Sequence, residues 1–483
     1  MDQRDVVIIG AGGVGCAVAR ELSRYQLRIT VLEKECDVAG GISGRNSAVV
    51  HAGFNNAPGS LMAKLCVEGN RGFEGLCRQL DVPYRKTGKL LVAFDEQDME
   101  ALGAILRQGE ENGCEGLRLV DREELKRLAP GIEGIGGMYS PQTAVFDPFA
   151  YCIALAENAL ANGVDFRFGS KVVGIERGGG FLVTTAGGDR FACRLLINCA
   201  GLSSGRISQM AGGPPYRIYP CRGEYFILDR IADQLLPMPV YPAPRKGIGG
   251  LGVHLTPTSA GNILIGPSAE YISQSDDLSC TRPVMEGLFD QAKAILPALS
   301  RKHIIGSYAG IRPKLAPPEE GGYRDFVIRE EEDCPGLINL IGIESPGLTA
   351  SMPIARMVRE IAGEALPLQE KEDFIAERTA PIRFRDLTED AQAALIREDP
   401  EYGEIICRCQ KVTKREIRNA IENPFGARSI SAIKYRAWAT TGRCNGGYCL
   451  TRIVDMLVKE YGMKPEEISY RSPGSELFAG EVK

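Results

Sequence analysis

The stretch DVVIIGAGGVG, residues 5–15, constrains the fold of this chain more than any other. Its first half is a continuous apolar run rich in β-branched side chains, the pattern of a strand buried on both faces. Three spaced glycines follow, then the helical pattern CAVARELSRY, then a second strand-like run, RITVLEK, that reaches Glu33. Strand, glycines, helix, strand and acidic residue in that order are the pattern of a dinucleotide-binding βαβ unit. Each position has a physical task in such a unit. Gly10 permits the tight turn, Gly12 lets the backbone approach a pyrophosphate, and Gly15 lets helix and strand pack closely. The helix N-terminus faces the phosphate charge, and Glu33 is placed to accept hydrogen bonds from ribose hydroxyls. At 483 residues the chain is too long for one core, so two or three domains are expected.

A second constraint lies near the other end. Cys407 and Cys409 form a C-x-C pair, and Cys444 and Cys449 a C-x4-C pair. Four thiolates suit a zinc ion or an iron–sulfur cluster. Structural zinc clamps favour C-x2–4-C at both ends, so C-x-C weighs against zinc without deciding the matter. Between the pairs, Thr413 and Glu416 have capping-box spacing at the start of a helical pattern, and a second pattern, LTRIVDMLVKEYG, follows the last cysteine. The remaining cysteines are scattered and read as reduced, mostly buried thiols rather than a disulfide framework.

Composition narrows function. With 44% hydrophobic and 25% charged residues and a net charge of −5, the chain is globular and lacks the basic surface of a nucleic-acid binder. No apolar run approaches the ~18 residues that cross a bilayer, so no transmembrane segment is expected. The N-terminus enters its first strand almost at once, which leaves no room for a signal peptide. A cytoplasmic protein is expected, peripheral to a membrane only through a partner.

Residues 40–54, GGISGRNSAVVHAGF, have the Gly/Ser/Arg character of a loop that wraps a second cofactor segment. Here the chain resembles the FAD-dependent oxidoreductases that include D-amino-acid oxidase, glycine oxidase, glycerol-3-phosphate dehydrogenase and L-2-hydroxyglutarate dehydrogenase. The likeness runs over residues 4–362, and VPYRKTGKLLVA, YSPQTAVFDPF, INCAGLSSGRI and GVHLTPTSAGNILIGPSA resemble the L-2-hydroxyglutarate branch. It implies FAD as cofactor, with Ser43, Arg45, Asn46 and Ser47 on the cofactor loop. It also implies Ala200 and Gly201 of the NCAGL turn against the cofactor, and Gly347, Leu348 and Thr349 at a helix N-terminus beside the isoalloxazine ring. Backbone N–H groups there can stabilise added electron density. The C-terminal segment EIICRCQKVTKREIRNAI…TGRCNGGYCLTRI is similar to the bacterioferritin-associated-ferredoxin type of [2Fe–2S] domain, found also fused to anaerobic glycerol-3-phosphate dehydrogenase subunits. That likeness implies Cys407, Cys409, Cys444 and Cys449 as cluster ligands.

The expected fold class is α/β: a Rossmann-like FAD-binding domain with an interleaved α+β substrate domain, plus a small C-terminal helical [2Fe–2S] domain. Residues 1–365 would form the oxidoreductase, with its substrate part at about 80–140 and 215–310. Residues 366–395 would form a linker, and 396–483 the cluster domain. For the chemistry, His254 is the candidate base for a substrate hydroxyl proton, since imidazole titrates near neutrality. His51, in the HAG context, is expected to face the flavin, and His303 to be structural. Arg312, in YAGIRPKL, offers a planar fork that suits a carboxylate or a phosphate, with Lys314 adding charge. Tyr225, Tyr241 and Arg222 are weaker candidates. Flavin takes two electrons and a [2Fe–2S] cluster passes one, so a dehydrogenase feeding a redox partner protein or subunit is expected. Its substrate would be a small anionic 2-hydroxy acid like L-2-hydroxyglutarate. Glycerol 3-phosphate, an amino acid, or a non-catalytic electron-transfer role are the alternatives.

Overall fold

The computed structural model describes residues 3–244 and 252–480. The chain divides into two compact units, one of Met1–Leu32 with Ala39–Arg378 and one of Glu33–Val38 with Thr379–Lys483.

The first unit is built on two large sheets. In the eight-stranded sheet, Asp165–Arg167, Ile29–Leu32, Gln3–Ile9 and Arg190–Asn198 lie side by side in parallel. The long strand Arg190–Asn198 has two further neighbours along its other edge. Its first half pairs antiparallel with Gly180–Thr185, and its last residues pair in parallel with Cys334–Ile341. Val6, Val7 and Ile8 are fully buried, as the apolar run requires. The helix Gly13–Leu22 packs against both Pro148–Ala161 and Ser351–Ala365. The turn into it admits only glycine. At Gly10, with φ +107°, a Cβ would lie 2.5 Å from the Cys199 carbonyl oxygen, and at Gly15 it would lie 1.9 Å from that of Gly10.

The nine-stranded sheet is mixed and interleaved, as expected. Val240–Pro242 pairs in parallel with Lys89–Ala93, which joins segments far apart in sequence, whereas the other ladders are antiparallel. Its longest ladder, Tyr219–Arg230 against Ile304–Lys314, sets Arg312 opposite Cys221. Leu90, Val240, Leu255, Ile263 and Ile265 share a core with Leu288 and Phe289 of the helix Arg282–Ile295.

The stretch expected as a linker divides between the units. Residues up to Arg378 belong to the first, where the side chains of Asn158 and Asn162 bond the backbone at Ile375 and Arg378 pairs with Glu157. Its later part forms the helix Glu389–Glu398 in the second unit. There a short hairpin, Ile405–Cys407 with Val412–Thr413, precedes the helices Lys414–Ile421, Ile430–Ala437 and Leu450–Lys459. Ile406, Ile417, Ile421, Ile433, Ile453 and Leu457 form their common core. The capping box is present: Thr413 N–H donates to Glu416 Oε2 at 2.8 Å, and Glu416 N–H donates back to Thr413 Oγ1 at 3.3 Å. Among the described residues, no helix is long and apolar enough to cross a membrane.

Candidate active site and cysteine cluster

A cavity of ≈ 450 Å³ in the first unit is lined by strands of the nine-stranded sheet and by the loops at residues 42–48 and 343–349. Ser43, Arg45, Asn46, Ser47, His51, His254, Arg312, Gly347, Leu348 and Thr349 all line it, as do Tyr225, Tyr241 and Lys314, so thirteen of the sequence candidates meet at one place. Gly10, Gly12 and Gly15 lie outside that lining, in and just after the turn that opens the helix Gly13–Leu22. Glu33 directly follows the strand Ile29–Leu32, and its Oε1 accepts the Glu35 N–H at 2.9 Å. Ala200 and Gly201 also lie outside the lining; their turn abuts Gly10, whose hypothetical Cβ would sit 3.4 Å from Ala200 Cα.

The loop around residues 41–48 is fixed by its own polar groups. Ser43 Oγ accepts the Gly13 N–H at 2.8 Å, so this hydroxyl occupies the helix N-terminus. Asn46 spends its amide on the loop: Nδ2 donates to the Ile42 and Ser43 carbonyls, and Oδ1 accepts the Ala48 N–H. Arg45 Nη1 donates to the Ala309 carbonyl at 3.2 Å, and Ser47 Oγ is 3.1 Å from the Tyr225 hydroxyl. Tyr225 stacks on Tyr308 at 4.6 Å, giving this wall a rigid aromatic pair.

The two histidines differ in setting. His51 Nε2 is 3.3 Å from Ser345 Oγ, and the His51 N–H donates to Thr349 Oγ1 at 3.1 Å. Burial, with the nearby Lys89 charge adding to it, pushes the His51 imidazole down to about 3, so it is neutral at ordinary pH. His254 is buried and lies face to face with Tyr241, ring centroids 3.4 Å apart. Lys89, fully buried, also meets Tyr241, its Nζ 4.0 Å from that ring centre and 4.7 Å from that of Phe54. Burial brings Lys89 down to about 7.

Arg312 Nη2 donates to the Ser268 carbonyl at 3.1 Å, and Nη1 is 3.5 Å from Cys221 Sγ. Gly223 leaves room for this fork, since a Cβ there would lie 2.8 Å from Nη2. Lys314 does not add the free charge expected of it. Its Nζ bonds Glu344 Oε1 at 3.2 Å and the Gly322 carbonyl at 2.6 Å, so the buried carboxylate already balances it. Arg222 is likewise committed, to Asp277, Glu270 and Ser279. His303 is not among the cavity residues. Sequence reading missed Ser345, Tyr323 and Lys89. Ser345 lies directly before the Pro346-Gly347-Leu348-Thr349 stretch but was not singled out, Tyr323 carried no motif, and Lys89, behind the lining, was hidden as one charge in the strand Lys89–Ala93, although a lysine in such an apolar run is itself the signal.

In the second unit, Cys407 Sγ lies 3.7 Å from Cys409 Sγ, which lies 4.0 Å from Cys444 Sγ. Sulfurs at the corners of a tetrahedral site with ~2.3 Å metal bonds are ~3.8 Å apart. A hydrogen bond from Cys449 holds the Cys407 thiol well below its usual range and raises that of Cys449 in turn. Among the described residues, no three His, Cys, Asp or Glu side chains are set to hold a single ion. The spacings allow shared metal ligation, and four cysteines are the ligand set of a two-iron cluster. Gly442 clears the approach, because a Cβ there would lie 2.3 Å from Cys409 Sγ.

Comparison with known proteins agrees with both sites. Residues 5–361 match the FAD dependent oxidoreductase family, and residues 405–459 match the BFD-like [2Fe-2S] binding domain. A glycerol 3-phosphate dehydrogenase from Caloramator mitchellensis is 37% identical over 99% of both chains. Human mitochondrial L-2-hydroxyglutarate dehydrogenase is 35% identical, covering 74% of this chain and 88% of its own. Among solved structures, FAD-bound L-α-glycerophosphate oxidase from Mycoplasma pneumoniae superposes with a TM-score of 0.74 at 28% identity, over 79% of this chain and 100% of its own. The chain therefore belongs to the FAD-dependent oxidoreductase family and ends in a BFD-like [2Fe–2S] domain. It is an FAD-dependent dehydrogenase, and its cofactors are FAD and a [2Fe–2S] cluster.

Proposed function

We propose that the chain oxidises the secondary hydroxyl of glycerol 3-phosphate to a ketone and delivers the two electrons singly to a protein acceptor. One observation carries the choice of substrate. The glycerol 3-phosphate dehydrogenase matches along the whole chain, cluster segment included, whereas the human hydroxyglutarate enzyme covers 74% of it. L-2-hydroxyglutarate remains the second reading, supported by the 35% identity of that relative.

Arg312 is the anion clamp in this reading. Among the described residues its fork is bonded to one carbonyl and one sulfur but to no carboxylate, which leaves donors for a phosphate. The neighbouring Lys314 is already balanced by Glu344, so it offers no second free cation for the far carboxylate of a dicarboxylate. His51 takes the hydroxyl proton. Its neutral imidazole can accept it, and the entering phosphate dianion raises the basicity that burial has lowered. Ser345 orients that ring, and His254 with Tyr241 forms the opposite wall. Gly10, Gly12, Gly15 and Glu33 hold the adenosine half of FAD, and Gly347, Leu348 and Thr349 its ring end. Bound there, FAD would supply a hydride acceptor for the carbinol carbon as its C–O single bond becomes a carbonyl, and a cluster held by Cys407, Cys409, Cys444 and Cys449 would supply a one-electron carrier.

Anaerobic visible spectroscopy, with glycerol 3-phosphate and L-2-hydroxyglutarate added in turn, tests the reading. Bleaching of flavin absorbance by glycerol 3-phosphate at low concentration is expected. Bleaching by L-2-hydroxyglutarate alone would reverse the order of the two readings, and no bleaching by either would defeat both.

A further inference from the structure

Of the four clustered cysteines, Cys409 and Cys444 are the exposed members, and the surface beside them is basic. Arg408, Lys411, Arg443 and Arg452 are all exposed. Arg408 and Arg452 stack on the Tyr448 ring, 4.1 and 4.5 Å from its centre, so a single aromatic side chain holds two guanidinium groups beside the thiols. The sequence makes this local basicity unusual for the protein. From Asn423 to Val454 there is no aspartate or glutamate, while the whole chain carries a net charge of −5. Acidic residues of this unit are engaged elsewhere: Glu401 and Glu460 with Lys414 and Arg418, and Asp455 with Lys459.

Two uses of such charge can be separated. Cations that only offset the negative charge of an iron–sulfur cluster would turn inward and be shielded. Here they are exposed, with Arg408 next to Cys409 and Arg443 next to Cys444 in the chain, so they also act on whatever approaches from solvent. Surface charge of one sign around an electron exit raises the encounter rate with an oppositely charged partner, and the effect falls with ionic strength.

We propose that this rim is the docking surface for an electron-acceptor protein with an acidic face around its own redox centre. The proposal rests on the reading that electrons leave through the cluster. Each substrate oxidised releases two electrons and two protons, and two acceptor molecules take one electron each. The rim supplies orientation, not chemistry.

Two one-electron acceptors of opposite charge make the test: plant plastocyanin, which has an acidic face, and mitochondrial cytochrome c, which is basic. The holoenzyme is reduced anaerobically with its substrate, and reduction of each acceptor is followed at low and at high ionic strength. Binding of each to the enzyme is measured in parallel by analytical ultracentrifugation. Plastocyanin should be bound and reduced at least ~10-fold faster than cytochrome c at low salt, and the advantage should vanish at high salt. The double variant Arg408→Glu/Arg452→Glu should lose the preference while flavin bleaching by substrate keeps its rate. If that variant lacks cluster absorbance, the neutral pair Arg443→Gln/Arg452→Gln serves, with a several-fold loss expected.

Equal rates, a preference for cytochrome c, or selectivity that survives the substitutions would overturn the docking surface. So would rim-dependent sedimentation with phosphatidylglycerol vesicles in place of plastocyanin binding, which would assign the surface to a membrane. A different outcome strikes only the underlying reading: plastocyanin binds through the rim, but the cluster absorbance never responds to substrate.

Discussion

At the scale of single residues, the site turns on one guanidinium and one imidazole. Replacing Arg312 by Ala removes charge-assisted hydrogen bonds worth ~1.5–3 kcal/mol each, so kcat/KM should fall about 100-fold, mainly through KM. Arg312→Lys keeps the charge but loses the fork, and should fall between the two in steady-state assays with a dye acceptor. An unchanged KM in both variants would remove Arg312 from substrate binding. His51 makes a second prediction, on stability. Its folded pKa, about 3, lies below the ordinary value of 6.5, so below pH 6.5 the unfolded chain takes up a proton that the folded chain refuses. Stability from this group is therefore complete above pH 6.5 and is lost as pH falls toward 3. Between pH 6.5 and 5 the loss is about 2 kcal/mol, at 1.36 kcal/mol per pH unit. His51→Gln should flatten the drop in melting temperature across that window, and an identical acid profile in the variant would show that other groups cause it.

At the scale of elements, local rules were legible and mutual arrangement was not. The glycine turn, both cysteine pairs and the Thr413–Glu416 box could be read because each is fixed by neighbours within a few residues. The box also supports a prediction. Thr413 is fully buried, and Glu416 Oε2 receives both its N–H and its hydroxyl. Thr413→Ala removes the cap and leaves part of a buried carboxylate unsatisfied, at a cost of about 1–2 kcal/mol. Loss of cluster absorbance on heating should move to lower temperature, with the flavin transition unmoved. By contrast, the commitment of Lys314 could not be read, because its partner Glu344 is thirty residues away and meets it only through the fold. The same holds for Lys89 beneath Tyr241, brought together by the parallel pairing of Val240–Pro242 with Lys89–Ala93. Ala200 and Gly201 show the complementary limit. The sequence placed their turn against the cofactor; in the structure it abuts the Gly10 turn and lies outside the cavity lining.

At the scale of the whole molecule, the cavity and the four cysteines fall in different units, and the proposed function gives each a separate part of the electron path. Every residue that lines the cavity belongs to the first unit, and of the residues assigned to FAD only Glu33 falls in the second. The four cysteines belong to the second, where Cys444 is exposed and Cys449 buried. Cys444→Ser replaces one soft thiolate by a hydroxyl, a poor ligand for iron–sulfur chemistry, without touching the helical core around Ile417 and Ile453. Cluster absorbance should weaken or vanish while circular dichroism keeps its helical signal. Bleaching of the flavin by substrate should proceed at the wild-type rate, and a small two-electron dye should still be reduced. Reduction of a one-electron protein acceptor should fall at least about tenfold if the cluster is the one-electron relay that carries the flavin's electrons to the surface. If the variant reduces that acceptor as fast as the parent, electrons leave from the flavin directly and the cluster has another task. If flavin bleaching is lost as well, the second unit shapes the substrate site after all, and the division of labour drawn from the cavity residues fails.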